Sequence, residues 1–332
     1  MSLPAPYLLF LGTAQGNLEI KTALGLAQWR PDKCLGQWHL PGCSVSTGLV
    51  DMNPAQAIIA GARSLVIGTA PAGGVLSDDW IPALVQAIEA GLDLVSGLHV
   101  RLSMVPELRQ AAEQHGRQLI DIRLPPKNIP VGTGRKRSGK RVLTVGTDCC
   151  VGKKYTALSL HQAMIEKGMK ADFRATGQTG IMIAGGGIPM DAVVSDFLSG
   201  AAEMLSPDND SDHWDVIEGQ GSLLHPAYSA VTLGLIHGSQ PDAMILCHEA
   251  GRTEIDDHPG FEIPALHDCI EQYQQAAALT NPCTRVIGIS INTSSLPQDE
   301  RESFLDQLGQ KSRLPCVDPL LTGVAPLLEA LI

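Results

Sequence analysis

The residues of this chain with the plainest chemistry are Gly146-Thr147-Asp148-Cys149-Cys150-Val151-Gly152-Lys153, followed by Lys154 and Tyr155. Glycines at both ends let the backbone turn sharply and pass close to a ligand. Successive N–H groups and the start of a helix then face an anion, and Lys153 adds a point charge. The apolar run Val142-Leu143-Thr144-Val145 precedes the segment and a helical pattern to about Lys167 follows it, which is the strand–loop–helix setting of a P-loop. The segment departs from G-x-x-x-x-G-K-[ST] in two ways. Five residues rather than four separate the glycines, and Lys154 stands where a Ser or Thr would ligate Mg²⁺. Two adjacent lysines can neutralise a diphosphate without a metal, and Thr156, two residues further on, is a poor substitute for the missing hydroxyl. A diphosphate held for anchorage, as in coenzyme A, fits better than a Mg²⁺-ATP undergoing cleavage. No metal site is expected. None of the eight cysteines makes a C-x-x-C pair.

Such a loop works only on a scaffold that holds it, and 332 residues suit two domains better than one core. Strand-like runs at Tyr7, Ser64, Asp93 and Gln118 alternate with helical stretches of about 10 to 12 residues, which predicts a parallel sheet. The second half repeats the alternation, with β-like runs at Arg141, Ala171, Asp215, Ala243 and Arg285. Between the halves, Pro125, Pro126, Pro130, Gly132, Gly134 and Gly139 break the pattern, and Arg135, Lys136, Arg137 and Lys140 charge it. The expected fold class is therefore α/β, in two domains, each a mostly parallel sheet flanked by helices. Residues 1–130 read as a Rossmann-like domain, 131–140 as a solvated linker and 141–332 as a P-loop NTPase-like domain.

The net charge of −11 argues against nucleic acid or a membrane surface as a partner, since both need a basic face. No apolar run approaches the roughly 18 residues of a membrane span. The expectation is a cytoplasmic homo-oligomer acting on a small molecule.

Further motifs make a resemblance specific. The P-loop itself is similar to that of dethiobiotin synthetase, and Asp215-Val-Ile-Glu-Gly-Gln-Gly221 resembles that enzyme's strand ending in Glu-Gly-x-Gly. Together with Ala175-Thr-Gly-Gln-Thr-Gly180, Asp196-Phe-Leu-Ser-Gly-Ala-Ala-Glu203, His225-Pro-Ala-Tyr228, Gly73-Gly74 and Ser96-Gly-Leu-His99, the whole chain resembles the D-glutamate N-acetyltransferase-like family, two-domain proteins with a Rossmann-like domain before a P-loop domain. The resemblance implies acetyl transfer from acetyl-CoA to the amino group of D-glutamate or a related D-amino acid.

Amine acetylation needs a proton acceptor. Glu218, where a buried strand meets a glycine-rich turn, is the first candidate, with His225 and His248 at comparable strand ends. Thr176, Gln178 and Thr179 offer polar groups for the substrate, Arg174 and Arg252 offer fixed cations for a dicarboxylate, and His99 is expected in a cleft between the domains. Cys149 and Cys150 leave room for an acyl-cysteine intermediate. An ATP-dependent ligase or kinase using Mg²⁺ and a non-catalytic nucleotide-binding protein are the alternatives. Gly12-Thr-Ala-Gln-Gly16 lacks the G-x-G-x-x-G spacing, so NAD is weakly signalled.

Overall fold

Tyr7 to Gly12 is apolar at nearly every position, as in a strand covered on both faces, and all six residues are buried. The computed structural model describes residues 3–71 and 74–332, so Gly73 lies outside the described residues. Two compact units emerge. One runs to Leu124 and adds Gln178–Pro189; the other is Pro125–Gly177 with Met190–Ile332.

The first unit follows the order β1 (Tyr7–Gly12), α1 (Lys21–Trp29), β2 (Cys34–His39), α2 (Pro54–Ile59), β3 (Ser64–Ile67), α3 (Ile81–Glu89), β4 (Asp93–Ser96), α4 (Pro106–His115) and β5 (Leu119–Asp121). The sheet order is β2-β1-β3-β4-β5 and every neighbouring pair is parallel. Leu8, Leu65 and Leu94 are wholly buried and pack with Leu84 and Ile88 of α3 and Leu108 of α4. Each such side chain contributes about 1.5–3 kcal/mol. Gly12 is held at φ +56°, and a Cβ there would run into the Trp80 ring.

The strand order reverses between β1 and β3, the switch point at which open α/β sheets take ligands. Here the first turn of α1 is engaged: Ala23 N–H donates to Gly68 O at 3.0 Å, and Thr22 Oγ1 lies 3.0 Å from Thr179 Oγ1. Thr179 belongs to a short helix, Gln178–Ala184, that packs on α1.

The second unit contains β6 (Lys140–Gly146), α5 (Lys153–Glu166) and β7 (Ala171–Arg174); the chain then passes through α6 (Gln178–Ala184), which belongs to the first unit. It continues with α7 (Leu198–Leu205), β8 (Trp214–Ile217), α8 (Ser229–Ser239), β9 (Ala243–Glu249), α9 (Leu266–Ala278), β10 (Arg285–Asn292), α10 (Arg301–Ser312), β11 (Cys316–Val317) and α11 (Ala325–Glu329). The parallel sheet runs β11-β10-β9-β6-β8-β7, so the strand feeding the P-loop is flanked by β8 and β9.

Residues 131–140 are mostly exposed, as expected of a linker, but Arg137 among them is not solvated. Arg137 is buried and donates to Ser206 O and Gly238 O, each at 2.7 Å. Arg141 is wholly buried, with Nη2 2.9 Å from Ser138 O and 3.0 Å from Pro207 O. Carbonyls at a helix C-terminus have no intrahelical donor. The basic run supplies donors to the ends of α7 and α8 and straps the segment to the second unit. Burial, and then Arg141, lower the Arg137 guanidinium to about 10. Among the described residues no helix is long and apolar enough to cross a membrane.

Candidate functional site: the P-loop and its supports

The loop leaves β6 at Gly146, where a Cβ would stand 2.9 Å from Val151 Cγ2 and 3.0 Å from Lys153 Nζ, so close chain passage needs glycine. Cys150 at φ +57° and Gly152 at φ +101° adopt left-handed conformations and curl the backbone around the start of α5. Successive N–H groups in such a curl form an anion-binding concavity, and the first turn of a helix adds donors with no intrahelical acceptor. Lys153 is buried, with Nζ donating to Asp148 O at 2.7 Å, so its ammonium lies within the loop.

Asp148 faces inward and organises the loop from below. Its Oδ1 accepts from Cys149 N–H, and its Oδ2 accepts from Arg252 Nη1 and Asp256 N–H, each at 2.8 Å. Arg252 also bonds Cys149 O and pairs with Glu249. Burial acts to lower the Arg252 guanidinium, but the Asp148 hydrogen bond and the nearby carboxylates carry it above its ordinary value. Arg252 is thus a loop support and is not placed for a substrate carboxylate. Tyr273, wholly buried in α9, donates to Gly146 O at 2.6 Å and accepts from Leu223 N–H at 3.0 Å. Nothing in the sequence distinguishes Tyr273 from an ordinary core aromatic.

Two hydroxyls decide how the loop treats a metal. Thr156 is wholly buried and bonds Ser290 Oγ at 2.8 Å and Gly152 O at 3.1 Å, so it points into the sheet. Lys154 holds the position a Mg²⁺-ligating hydroxyl would take, its Nζ 4.8 Å from the Tyr155 ring centroid. Thr147 is wholly buried, 2.8 Å from His248 Nδ1, and its N–H donates to Cys247 O. Burial, then Arg252, lower His248 to about 4, so the ring is neutral at physiological pH.

Glu218 follows β8, on the strand next to the P-loop strand. It is buried, and its Oε2 accepts from Thr176 N–H at 2.9 Å and Gly177 N–H at 3.0 Å. Thr176 Oγ1 returns a bond to Glu218 O at 2.7 Å, and Gln220 Nε2 donates to Thr176 Oγ1 at 3.1 Å. Burial raises the Glu218 carboxyl, opposed by those N–H groups and by Lys154 and Lys153. A Cβ at Gly219 would lie 3.1 Å from Lys153 Cδ, which fixes Glu218 at the lysine end of the loop.

His225 cannot act as the proton acceptor. Its Nδ1 accepts from Ala227 N–H at 3.0 Å and Tyr228 N–H at 3.3 Å, which fixes the proton on Nε2, 3.9 Å from Asp148 Oδ1. A ring with one nitrogen accepting and the other protonated has no lone pair for a substrate proton. Asp148, Cys149 and His225 each offer a ligand atom within 4.8 Å of the others, but the same tautomer denies a metal the Nε2 lone pair. Cys149 is half-buried and Cys150 exposed.

Arg174 is engaged elsewhere. Its Nε donates to Asp215 of β8 at 2.7 Å and its Nη2 to Asp172 at 3.0 Å, with His213, just before β8, 3.4 Å from the same Asp172 carboxylate. Two residues apart on the strand, Asp172 and Arg174 share a face, which brings the two side chains together. Of the remaining expected substrate residues, Thr176 stays beside Glu218, whereas Gln178, Thr179 and His99 belong to the first unit.

Residues 38–125 match the Rossmann-like N-terminal domain of DUF1611, and residues 130–328 match its P-loop C-terminal domain, both described as domains of unknown function. The chain belongs to the DUF1611 family. It is similar to a DUF1611 family protein of known crystal structure from Anabaena variabilis, with a TM-score of 0.87 and 34% identity over 98% of both chains. It is 49% identical to proteins named D-glutamate N-acetyltransferase from Tritonibacter scottomollicae, over 99% of both chains, and from a Pseudoalteromonas species, over 98% of both. The two α/β domains expected from the sequence are those of the family.

Proposed function

We propose that this chain acetylates the amino group of D-glutamate or a similar D-amino acid from acetyl-CoA, and that the P-loop holds the coenzyme's diphosphate. The names of the near relatives support the reaction. The observation that carries the anchoring role is the hydroxyl position of the loop: Lys154 occupies it, and Thr156 is turned inward onto Ser290. That arrangement favours cationic neutralisation of a diphosphate over Mg²⁺-assisted cleavage of a triphosphate.

In the reaction a neutral amine attacks the thioester carbonyl, the C–S bond breaks, coenzyme A leaves as its thiol, and the amine proton passes to an acceptor. The pantetheine arm has roughly four residue-lengths of chain, on the order of 14 Å when extended. Glu218 lies beside Lys153, at the diphosphate end. On this reading it is a positioning residue that fastens the Thr176–Gly177 turn against the loop, and the proton acceptor lies near the far end of the arm. The same distance argues against an acyl intermediate on Cys149 or Cys150.

The test is whole protein with acetyl-CoA and D-glutamate, with ATP and divalent cations left out and both products followed by mass spectrometry. N-acetyl-D-glutamate and free coenzyme A should form one for one. A requirement for ATP, with release of phosphate, would instead support the ligase reading, to which Glu218 beside the P-loop strand, where P-loop enzymes hold Mg²⁺ by a carboxylate, gives some weight.

A further inference from the structure

Of the histidines beside the P-loop, His225 and His248 are unsuited to take the amine proton. His225 has its Nδ1 lone pair engaged by two N–H groups, and His248, at about 4, is a weak base near neutrality. His258 differs from both. It lies in the loop that follows β9, away from any strand end, so nothing in the sequence marks it. Its Nδ1 stands 2.9 Å from Asp256 O. A carbonyl can only accept, so Nδ1 carries the proton and the neutral ring keeps its lone pair on Nε2, the reverse of His225. Among the described residues no protein group donates to that nitrogen.

The turn around His258 holds the ring in place. Its backbone closes on itself, with His258 N–H donating to Ile255 O at 3.1 Å and Ile255 N–H to Phe261 O at 2.9 Å, around a buried Ile255. Asp256 N–H donates to Asp148 Oδ2 at 2.8 Å, so the carboxylate that organises the P-loop also fixes this turn. The His258 ring meets His225 edge-on, with centroids 4.7 Å apart, and His225 Nε2 is 3.9 Å from Asp148 Oδ1. Tyr228 is 4.5 Å from His225 and Phe261 6.2 Å from His258, centroid to centroid, which makes a row of four rings. Tyr228 and Phe261, at its ends, are each about half exposed, so the row meets solvent rather than core. Exposed rings grouped beside a phosphate loop mark a place where an apolar part of a ligand can lie.

We propose that His258 is the catalytic base of acetyl transfer, its Nε2 taking the proton from the attacking amine. The assignment rests on the acetyltransferase reading above. From a diphosphate held at Lys153, an arm on the order of 14 Å long has the reach to bring the thioester alongside the row of rings. The neutral amine attacks the acyl carbon, the C–N bond forms and the C–S bond breaks. One N–H proton passes to His258 Nε2, and the imidazolium returns it to the sulfur, so coenzyme A leaves as its thiol. The charged groups around the paired rings are Asp148, Asp256 and Lys153. Burial, opposed by Asp148, lowers His225 and keeps it neutral, so the imidazolium of His258 forms beside an uncharged ring.

Steady-state acetylation of D-glutamate by the whole protein and by His258→Asn and His258→Gln, from about pH 6 to about pH 9, tests this, with acetyl-CoA affinity measured by titration calorimetry. The Asn amide keeps a donor where Nδ1–H meets Asp256 O, and neither amide has a basic nitrogen. Each variant should lower kcat about 10²- to 10⁴-fold, with acetyl-CoA affinity within about twofold and the melting temperature within about 2 °C of wild type. The variants should also lose the imidazole limb of the wild-type pH profile, their rate rising about tenfold per pH unit with the amine's own ionisation, a change that a merely structural role would not produce. A smaller fall in kcat in either folded variant, or a variant profile that keeps the wild-type limb, overturns the assignment and leaves the acetyltransferase reading intact. A wild type that transfers no acetyl group overturns both, so the wild-type rate tells the two failures apart.

Discussion

Asp148→Asn removes a charge from beneath the P-loop while keeping the size of the side chain. Asp148 is wholly buried, and its Oδ2 receives Arg252 Nη1 and Asp256 N–H, each at 2.8 Å. Deleting one partner of a buried ion pair costs about 3–5 kcal/mol. Arg252 keeps Glu249, and 19% of its side chain is exposed, which lowers the expectation to about 2–3 kcal/mol. At roughly 2–4 °C per kcal/mol for a unit of this size, the second unit should melt about 4–12 °C lower. Calorimetry of wild type, Asp148→Asn, Arg252→Gln and the double variant would measure this, and the two substitutions should be coupled by about 1 kcal/mol or more because the residues touch. A shift under about 1 °C, or strict additivity of the two, would refute the view that this pair holds the loop.

Other outcomes follow from the same geometry. Lys154→Thr should weaken acetyl-CoA binding roughly tenfold and improve Mg²⁺-dependent ATP binding, since it removes a cation and supplies a metal-ligating hydroxyl; titration calorimetry with each ligand checks both. His248 ionises at about 4 in the folded protein, below its ordinary 6.5, so its contribution to stability is complete above pH 6.5 and is lost as pH falls toward 4. Melting curves of wild type and His248→Gln across that window should therefore converge at low pH, with the variant less acid-sensitive. Burial raises the folded Glu218 carboxyl above its unfolded value, so its ionisation opposes folding at neutral pH. Glu218→Gln should raise the melting temperature at pH 8 and change it little below pH 4.5, where the carboxyl is protonated in both states.

The P-loop was legible because its function sits in backbone conformation, and glycine spacing between an apolar strand and a helix reports that conformation locally. Lys153, Glu218 and Thr176 came with it, each at the C-terminal end of a strand or the start of a helix in a parallel sheet. The partners of charged side chains were not legible. Arg174 and Arg252 looked available because Asp215 and Asp148 are 41 and 104 residues away in the chain. His225 looked like a base because the N–H groups that fix its tautomer are a matter of turn geometry. Arg137 read as solvated with the rest of the basic run because the helix ends it serves lie some 70 to 100 residues further on. Gln178–Ala184 carried no helix assignment because it is short and glycine-flanked, and its packing on α1 places it with the first unit.

The central claim is that the loop anchors the diphosphate of acetyl-CoA through its backbone and lysines, with no divalent cation. Titration calorimetry of the whole protein with acetyl-CoA, once with EDTA and once with Mg²⁺, and with Mg²⁺-ATP in parallel, tests it most directly. Acetyl-CoA should bind equally in EDTA and Mg²⁺, more tightly than Mg²⁺-ATP, and should lose its affinity in Lys153→Ala. Tighter binding of Mg²⁺-ATP, or acetyl-CoA binding that needs Mg²⁺ or survives Lys153→Ala unchanged, would contradict it.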